Sequence, residues 1–446
     1  MSEVVAGPER LSLDRYRTIL HDLVPVRCQG VVVQVIGLTI EAEGLIGRLG
    51  EMVEIYPRSG EPPITAEVVG FRGRRVLLMP LGEVHGVQPG TPVVATGTLF
   101  TVPVGETLLG RVIDALGRPL DQKGPLRGRR IYVGTARPPH PLTRQRIREP
   151  LVTGIRAIDA ALTCGKGQRM GIFAGSGVGK STLLGMIARN IRSDINVIAL
   201  IGERGREVRD FIERDLGPEG LARSVVVVST SDEPALLRLK GAWLATAIAE
   251  HFRDQGCDVT FLMDSVTRFA MAQREVGLAV GEPPAAKGYT PSVFALLPRL
   301  LERAGTSERG TITGFYTVLV ESDDLTEPIT DTVRSILDGH IVLTRELAAE
   351  NHYPPVDLLQ SVSRVMIDIT SPEHQRLAGK LREVLAVYRN ARDLINIGAY
   401  VSGSNPQIDY ALKVMPQVTA FLRQGPFEQT PLEETLARLA AILGDA

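Results

Sequence analysis

Residues 169–182 read Arg-Met-Gly-Ile-Phe-Ala-Gly-Ser-Gly-Val-Gly-Lys-Ser-Thr. The first five of these residues predict a buried strand, residues 174–179 predict a glycine-rich turn, and a helix is predicted from residue 180 onward. A strand, a glycine-rich loop and a helix in this order are typical of a phosphate-binding loop. The loop and the start of the helix comprise Ala174, Gly175, Ser176, Gly177, Val178, Gly179, Lys180, Ser181 and Thr182.

The residue types in this loop suit phosphate chemistry. Backbone N–H groups beside Gly177 and Gly179 can close around phosphate oxygens because no side chain intervenes. Lys180 reaches the outer phosphates, the Ser181 hydroxyl can ligate Mg²⁺, and the helix N-terminus adds a favourable dipole. The first motif position is Ala174 in place of glycine, and its small side chain is compatible with a working loop. An ordinary glycine-rich turn fits Gly-Lys-Ser-Thr after a strand less well, so the sequence predicts a nucleotide-binding protein.

Composition narrows the class of protein. A length of 446 residues suggests two or three domains, and 44% hydrophobic with 23% charged residues is typical of a soluble globular chain. Fifty basic residues balance 51 acidic ones, so no global charge draws the chain to nucleic acid or to an anionic membrane. Cys28, Cys164 and Cys257 match no metal-binding spacing and suit a reducing compartment. Without a long apolar run or a signal-peptide pattern, we expect a cytoplasmic protein.

The first 97 residues divide into two predicted parts. Residues 1–25 are predicted to contain an N-terminal helix or docking segment, since apolar residues between 11 and 24 recur at helical spacing. This helix either docks a partner or packs on the following domain, and the sequence leaves both open. Residues 26–97 predict a small β-barrel, because short β-branched runs alternate with Gly and Pro turns. Those runs are 30–35, 52–56, 64–71, 75–79 and 92–96.

Small barrels of this kind also bind oligonucleotides, and the aromatic and basic side chains of the barrel indicate whether this one does. Binding of single strands needs stacking aromatic residues interleaved with basic ones. Only Tyr56 and Phe71 are available, near Arg72, Arg74 and Arg75. A structural barrel is therefore favoured, and no nucleic-acid partner is expected.

Residues 98–370 are predicted to form the nucleotide-binding domain. A lead-in rich in proline, glycine and arginine, residues 98–168, precedes a core of alternating strands and helices that predicts a parallel sheet. The predicted strands are 169–173, 197–201, 225–229, 259–263 and 312–320. After residue 370 the pattern becomes helical, and residues 371–446 predict a C-terminal domain with helices at 377–395, 407–422 and 432–443.

Two carboxylates follow predicted strands at the edge where such sheets bind ligands. Asp264 ends one strand and is favoured as the metal-associated acid over a helix cap. Glu203 ends another strand and is a candidate for polarising the attacking water. A salt bridge from Glu203 to Arg204 or Arg206 is an equally good interpretation. Arg204 itself is a further catalytic candidate at this edge.

The sequence leaves the roles of three more residues open. Arg268 lies one turn after Asp264 and either touches the nucleotide or pairs with that carboxylate. Tyr353, stiffened by two following prolines, can stack on a base or belong to the core. A lone arginine such as Arg364 would ordinarily form a surface salt bridge.

These residues resemble the hexameric ATPases of bacterial type III export, which are relatives of the catalytic subunits of rotary ATP synthases. The matching stretches are 174–182, 202–208, 263–275, 281–292, 336–343 and 353–364. The resemblance covers nearly the whole chain, more weakly in residues 1–25 and after 371. Residues 271–292 are specific to export ATPases, and flagellar members are the most similar.

The resemblance implies a RecA-like core and roles for individual residues. Lys180 and Ser181 match the phosphate lysine and the Mg²⁺ hydroxyl, Asp264 the metal-associated acid and Glu203 the water-activating glutamate. Tyr353 matches the tyrosine that stacks on adenine. It also implies that Arg364 is an arginine finger that reaches a neighbouring subunit, so each subunit gives one finger and receives another.

Cofactors and partners follow from the same resemblance. It implies ATP, Mg²⁺ and a homohexamer at the cytoplasmic face of the inner membrane, beside the export gate. The implied partners are an export regulator at the N-terminal helix, a central stalk-like protein and chaperone–substrate complexes. The function predicted is ATP hydrolysis that powers flagellar protein export. The alternatives are the injectisome version of the same machine, a ring-shaped RNA translocase and a nucleotide-binding scaffold without turnover.

Overall fold

The computed structural model describes residue 13 and residues 28–57, 61–134, 136–320 and 324–443. The predicted helix within residues 11–24 therefore lies almost entirely outside the described residues. The chain divides into two compact units, Met1–Phe100 and Thr101–Ala446.

The first unit contains a closed six-stranded β-barrel, as the sequence predicts. Strand order around the barrel is β1-β2-β5-β4-β3-β6, with antiparallel neighbours throughout. The strands are β1 (Gln29–Ile36), β2 (Thr39–Glu43), β3 (Glu51–Ile55), β4 (Ile64–Arg72), β5 (Arg75–Pro80) and β6 (Pro92–Leu99). Apolar side chains that alternate along the strands fill its interior, among them Val53, Ile55, Val68 and Leu78.

Strand β2 is missing from the sequence prediction because its acidic residues resemble a polar loop. Glu41 is nevertheless buried, and its carboxylate accepts hydrogen bonds from Arg72 and Arg75 at 2.7 Å each. Two of the three arginines that could have suggested nucleic-acid binding, Arg72 and Arg75, therefore neutralise a carboxylate of the barrel.

The second unit is built on a nine-stranded sheet. Its main order is β19-β18-β12-β17-β15-β13-β14-β8, with β16 paired to β17. Apart from β16 and β19, the strands run parallel to their neighbours, which confirms the predicted parallel sheet. The strands of this unit are β7 (Thr101–Val104), β8 (Arg111–Asp114), β9 (Arg129–Tyr132), β10 (Pro150–Leu151), β11 (Cys164–Gly165), β12 (Arg169–Ala174), β13 (Ile195–Glu203), β14 (Ser224–Thr230), β15 (Asp258–Asp264), β16 (Gly305–Thr306), β17 (Thr311–Leu319), β18 (Gly339–Leu343) and β19 (Val362–Ser363).

The lead-in of residues 98–168 contributes to the main sheet, a role that the sequence does not predict. It supplies the edge strand β8 to the main sheet, where Arg111 and Asp121 form a bidentate ion pair. The helices of the second unit are α1 (Arg156–Ala161), α2 (Lys180–Asn190), α3 (Gly205–Asp210), α4 (Gly217–Ala222), α5 (Ala235–Asp254), α6 (Val266–Val280), α7 (Pro291–Leu301), α8 (Pro328–Ile336), α9 (Arg345–Ala349), α10 (Met366–Ile369), α11 (Pro372–Asn396), α12 (Pro406–Leu422) and α13 (Leu432–Leu443).

The three last helices confirm the predicted helical C-terminal region. Their buried faces share one hydrophobic cluster with α1 and α2, including Ile158, Leu381, Val418 and Leu439. The helical region packs directly on α1, which precedes strand β12 and the glycine-rich loop in the chain. Among the described residues, no helix combines the length and the apolar character needed to cross a membrane.

Candidate functional site

The glycine-rich loop joins β12 to α2, as the sequence predicts. Ala174 ends the strand and is buried, so the departure from glycine lies in the sheet and not in the turn. Gly177 and Gly179 have φ values of +78° and +104°, a region that favours glycine. Lys180 starts α2, which places its ammonium group and the free N–H groups of the first turn beside the loop.

Lys180 meets both predicted carboxylates. Its Nζ donates a short hydrogen bond to Asp264 Oδ1 and lies 3.4 Å from Glu203 Oε1. All three side chains are nearly buried, with exposed fractions of 11%, 5% and 13% for Lys180, Asp264 and Glu203. The structure thus gathers a cation and two carboxylates beside the glycine-rich loop.

Neighbouring strands explain why the two carboxylates are close. Strands β13 and β15 run parallel and adjacent, with Leu200 opposite Asp264, so both strands deliver their carboxyl ends to one edge. Strand β17 contributes a residue that the sequence does not predict. The Thr317 hydroxyl donates to Asp264 Oδ1 at 2.7 Å and is fully buried. Nothing in the sequence marks this threonine, because its role depends on which strand lies beside β15.

The pKa values of this group reflect burial and mutual charge. Burial and the negative charge of Asp264 raise the pKa of Glu203 to about 7, although Lys180 opposes the shift. Burial alone lowers the pKa of Lys180, but the carboxylates of Asp264 and Glu203 outweigh it, so this pKa lies above its ordinary value. Lys180 is therefore a permanent cation at neutral pH, while Glu203 titrates there.

The nearby arginines occupy two different environments. The Arg204 side chain is 81% exposed and pairs with Glu207 at 3.7 Å, so the alternative salt bridge between Glu203 and Arg204 does not form. Arg206 likewise pairs with Asp210. Arg268 forms no ion pair with Asp264 in the described part of the chain. Its stem instead packs on Gly202, where an added Cβ would lie 2.8 Å from Arg268 Cβ.

Tyr353 and Arg364 lie on the segment between β18 and α10. Tyr353 is 45% exposed, and its ring lies against the loop, 3.8 Å from the position of a Cβ built on Gly179. An aromatic face beside the phosphate loop suits a nucleotide base better than a core position. Arg364 is exposed and has no ion pair within the described ranges, so the ordinary surface salt bridge is absent.

The donor set near the loop fits Mg²⁺ that arrives with a nucleotide. The described residues contain no cluster of three or more His, Cys, Asp or Glu that could hold a metal ion. Mg²⁺ commonly binds through one or two protein oxygens together with phosphate oxygens and water. Ser181 at the start of α2 and Asp264 would supply those protein oxygens.

Family comparisons cover most of the chain. Residues 32–97 match the beta-barrel domain of the ATP synthase alpha/beta family, and residues 154–363 match its nucleotide-binding domain. Residues 370–441 match the C-terminal domain of the EscN ATPase of type III secretion. The barrel, the parallel sheet and the terminal helices each have a counterpart in these families.

Individual relatives are similar over nearly their full length. The flagellum-specific ATP synthase of Bacillus subtilis is 58% identical, with 93% of this chain and 95% of the relative covered. The type 3 secretion system ATPase of Xanthomonas euvesicatoria is 50% identical, with 94% and 95% covered. The assembled ATPase EscN of enteropathogenic E. coli superposes with a TM-score of 0.89 at 48% identity, covering 93% of this chain and all of that one. EscN in complex with its central stalk EscO gives a TM-score of 0.85 at 47% identity, with 93% and 100% covered.

Proposed function

The chain belongs to the ATP synthase alpha/beta family, among the flagellum-specific and type III secretion ATPases, and from this premise we propose how its residues hydrolyse ATP to power flagellar protein export. The observation that carries the mechanism is the contact of Lys180 with Asp264 and Glu203 beside the glycine-rich loop. A cation for the phosphates and a carboxylate for the water are the groups that phosphoryl transfer to water requires.

Binding of the triphosphate engages the loop first. Backbone N–H groups of residues 175–180 and the N-terminus of α2 surround the phosphate oxygens. Lys180 exchanges its carboxylate partners for the outer phosphates and neutralises charge that develops during bond cleavage. Ser181 and Asp264 would hold Mg²⁺, which would supply further charge neutralisation at the phosphates.

Glu203 acts on the attacking water. Its carboxylate accepts a proton from that water, and a pKa of about 7 is close to the optimum for a general base at neutral pH. Arg268, packed on Gly202 next to Glu203, and the exposed Arg204 are further candidates for contact with the phosphates. Tyr353 provides the stacking face for adenine.

Arg364 completes a site in a second copy of the chain. Its exposed guanidinium, unpaired among the described residues, supports the role of an arginine finger, since a charge without a partner in its own subunit is available to a neighbour. We therefore propose a homohexamer in which each subunit's Arg364 serves the adjacent site. The similar ATPase EscN has been solved in its assembled form and also in complex with its central stalk EscO, which supports a ring around a stalk here.

The remaining partners rest on the resemblance. We propose a central stalk-like protein, an export regulator at residues 1–25, chaperone–substrate complexes at the helical C-terminal region, and a cytoplasmic position beside the membrane export gate. The domain limits proposed are 1–25, 26–97, 98–370 and 371–446.

An injectisome role is the second candidate, because the Xanthomonas type 3 secretion ATPase is 50% identical. Deletion of the gene separates the two functions: loss of motility supports flagellar export, and loss of effector secretion with normal motility supports the injectisome.

Two variants test the ATPase mechanism. Lys180→Ala removes the phosphate cation and should abolish nucleotide binding or turnover. Glu203→Gln keeps the loop and should bind ATP, but its turnover should fall by about 100- to 10,000-fold, because the water loses its base. Hydrolysis and equilibrium ATP binding would be measured for both, with Glu213→Gln, an exposed carboxylate paired with Arg209, as the control. Normal hydrolysis by Glu203→Gln would remove Glu203 from the mechanism.

A further inference from the structure

The last two residues of α12 and most of the connection to α13, together residues 421–430, reach the turn that carries Tyr353. The backbone N–H of Gln424 donates to the Tyr353 carbonyl at 2.8 Å. Arg423 donates to the carbonyl of Glu350, three residues earlier in the same turn, at 3.0 Å. We call residues 421–430 the clasp. A segment of the helical C-terminal region thus holds the backbone of the proposed base platform.

Gln424 is itself fixed by its side chain. Only 5% of it is exposed, and its Oε1 accepts the backbone N–H of Arg156 at 2.8 Å. Its Nε2 donates to the carbonyl of Gly154 at 2.7 Å and to that of Glu428 at 2.9 Å. Three side-chain hydrogen bonds therefore orient the residue whose backbone N–H points at Tyr353.

Arg156 secures the rest of the clasp from α1. Its guanidinium is buried and donates to the carbonyls of Phe421 and Arg423 at 2.7 and 2.5 Å. It also forms an ion pair with Glu428 and donates to the Thr430 hydroxyl at 3.0 Å. The arginine caps the carboxyl end of α12 and fixes both ends of the clasp.

We propose that Gln424 is a positioning residue for the base-binding site, holding Tyr353 against the glycine-rich loop through the clasp. The inference rests on the proposed role of Tyr353 as the base platform. Within the described residues Gln424 forms no hydrogen bond with Lys180, Glu203 or Asp264, so it acts on how tightly ATP binds and not on bond cleavage. Without Gln424, ATP should bind more weakly, because each binding event would then have to order Tyr353 as well.

Gln424→Met tests this with nearly unchanged side-chain volume but without the three side-chain hydrogen bonds. We expect KM for ATP to rise about three- to tenfold, with kcat at saturating ATP within about twofold of the original value. The matched control is Gln273→Met, another buried glutamine, whose side chain in α6 donates to the Ser292 hydroxyl in α7 at 2.9 Å. It should also lose stability, measured by thermal unfolding, but without a change in KM.

A double-mutant cycle with Tyr353→Ala decides whether Gln424 acts through the tyrosine. If it does, the double variant has the KM of Tyr353→Ala alone, because a missing ring cannot be misplaced. Two increases in KM that multiply, or an unchanged KM in Gln424→Met, would overturn the inference. If Tyr353→Ala alone leaves KM unchanged, the base platform itself is wrong, which is a different failure.

A second variant covers the case in which Gln424→Met does not fold. Glu428→Ala removes a half-exposed carboxylate that pairs with Arg156 and accepts the N–H of Gly425 at 3.1 Å. It loosens the clasp without emptying the core. We expect KM to rise in this variant too, but less than in Gln424→Met. An unchanged KM in a folded Glu428→Ala protein would contradict the proposal.

Discussion

Glu203 lies where burial and the charge of Asp264 raise its proton affinity while Lys180 lowers it. The net effect is a pKa of about 7, above the ordinary value of a glutamate. The protonated form therefore dominates below that pH, and a protonated carboxyl cannot accept a proton from water. We expect kcat/KM to increase with pH up to about 7 and to fall about tenfold per pH unit below it. A steady-state pH profile of the free enzyme measures this.

The outcome that would contradict this expectation is a flat profile through the neutral range. The control is the thermal unfolding temperature over the same pH values, which separates titration of Glu203 from acid unfolding. Since a raised carboxyl pKa favours the folded state at low pH, this residue itself contributes stability at acidic pH and loses it as the pH rises towards 7. A parallel fall of activity and stability on acidification would therefore point to other groups.

The sequence identifies the residues of the candidate site better than it identifies the side chains that they contact. The loop, Lys180 and Asp264 follow from local motifs, because strand, turn and helix are contiguous in the chain. The partner of Glu203 does not, since adjacent Arg204 and Arg206 are equally plausible until the helix α3 directs both to solvent. Glu203 contacts Lys180 because it is buried beside a neighbouring strand, and no local sequence pattern encodes that position.

Strand β17 supports the site through one hydroxyl, that of Thr317. Thr317→Val keeps the shape of the side chain but removes the donor to Asp264, so the carboxylate loses one of the groups that hold it in place. Because a hydrogen bond to a charged group is worth about 1.5–3 kcal/mol, we expect kcat to fall about tenfold. The measurement is kcat at saturating ATP and Mg²⁺.

A matched variant lies on the adjacent strand β15. Thr260 is equally buried, but its hydroxyl has no hydrogen-bond partner among the described residues. Thr260→Val should leave kcat unchanged and should raise the free energy of unfolding by up to about 1 kcal/mol, since a buried unpaired hydroxyl is lost. Equal losses of kcat in both variants would mean that the threonines act only through packing.

Among the elements, long periodic ones are predictable and short or charged ones are not. Helices α12 and α13 begin and end close to the predicted positions, because their apolar spacing is repeated over several turns. Helix α11 ends close to its predicted position but begins at Pro372, more than a turn before the predicted start at residue 377. The sequence does not predict strands β2 and β8, since each is short and carries charged residues whose partners lie outside the strand. For β8 the partner is Asp121, and for β2 it is Arg72 together with Arg75.

For the whole molecule, the decisive prediction concerns activity shared between copies. Lys180→Ala and Arg364→Ala should each be inactive alone and active when mixed. In a randomly mixed ring about a quarter of the interfaces join an intact loop to an intact arginine. ATPase activity would be measured after mixing, with mixed assembly checked by tagged subunits. If a ring confirmed to contain both variants shows no ATPase activity, Arg364 does not act across subunits.

Residues 1–25 offer a second prediction at this scale. Their removal should leave basal ATPase activity intact, because the residues proposed for catalysis all lie in the second unit, and should abolish binding of the export regulator. Hydrolysis and a pull-down with that partner measure the two effects. Loss of folding in the shortened chain would instead support a helix packed on the barrel.

The ends of the sheets bear on how copies of such a chain avoid aggregation at high concentration. The barrel is closed and so offers no open edge, and the main sheet ends in β19 with two residues and β8 with four. Long free edges invite neighbouring chains to add strands and aggregate. Copies that meet through these sheets must therefore associate by side chains, which allows subunits to be crowded together, separated and reassembled without forming irreversible β-structure.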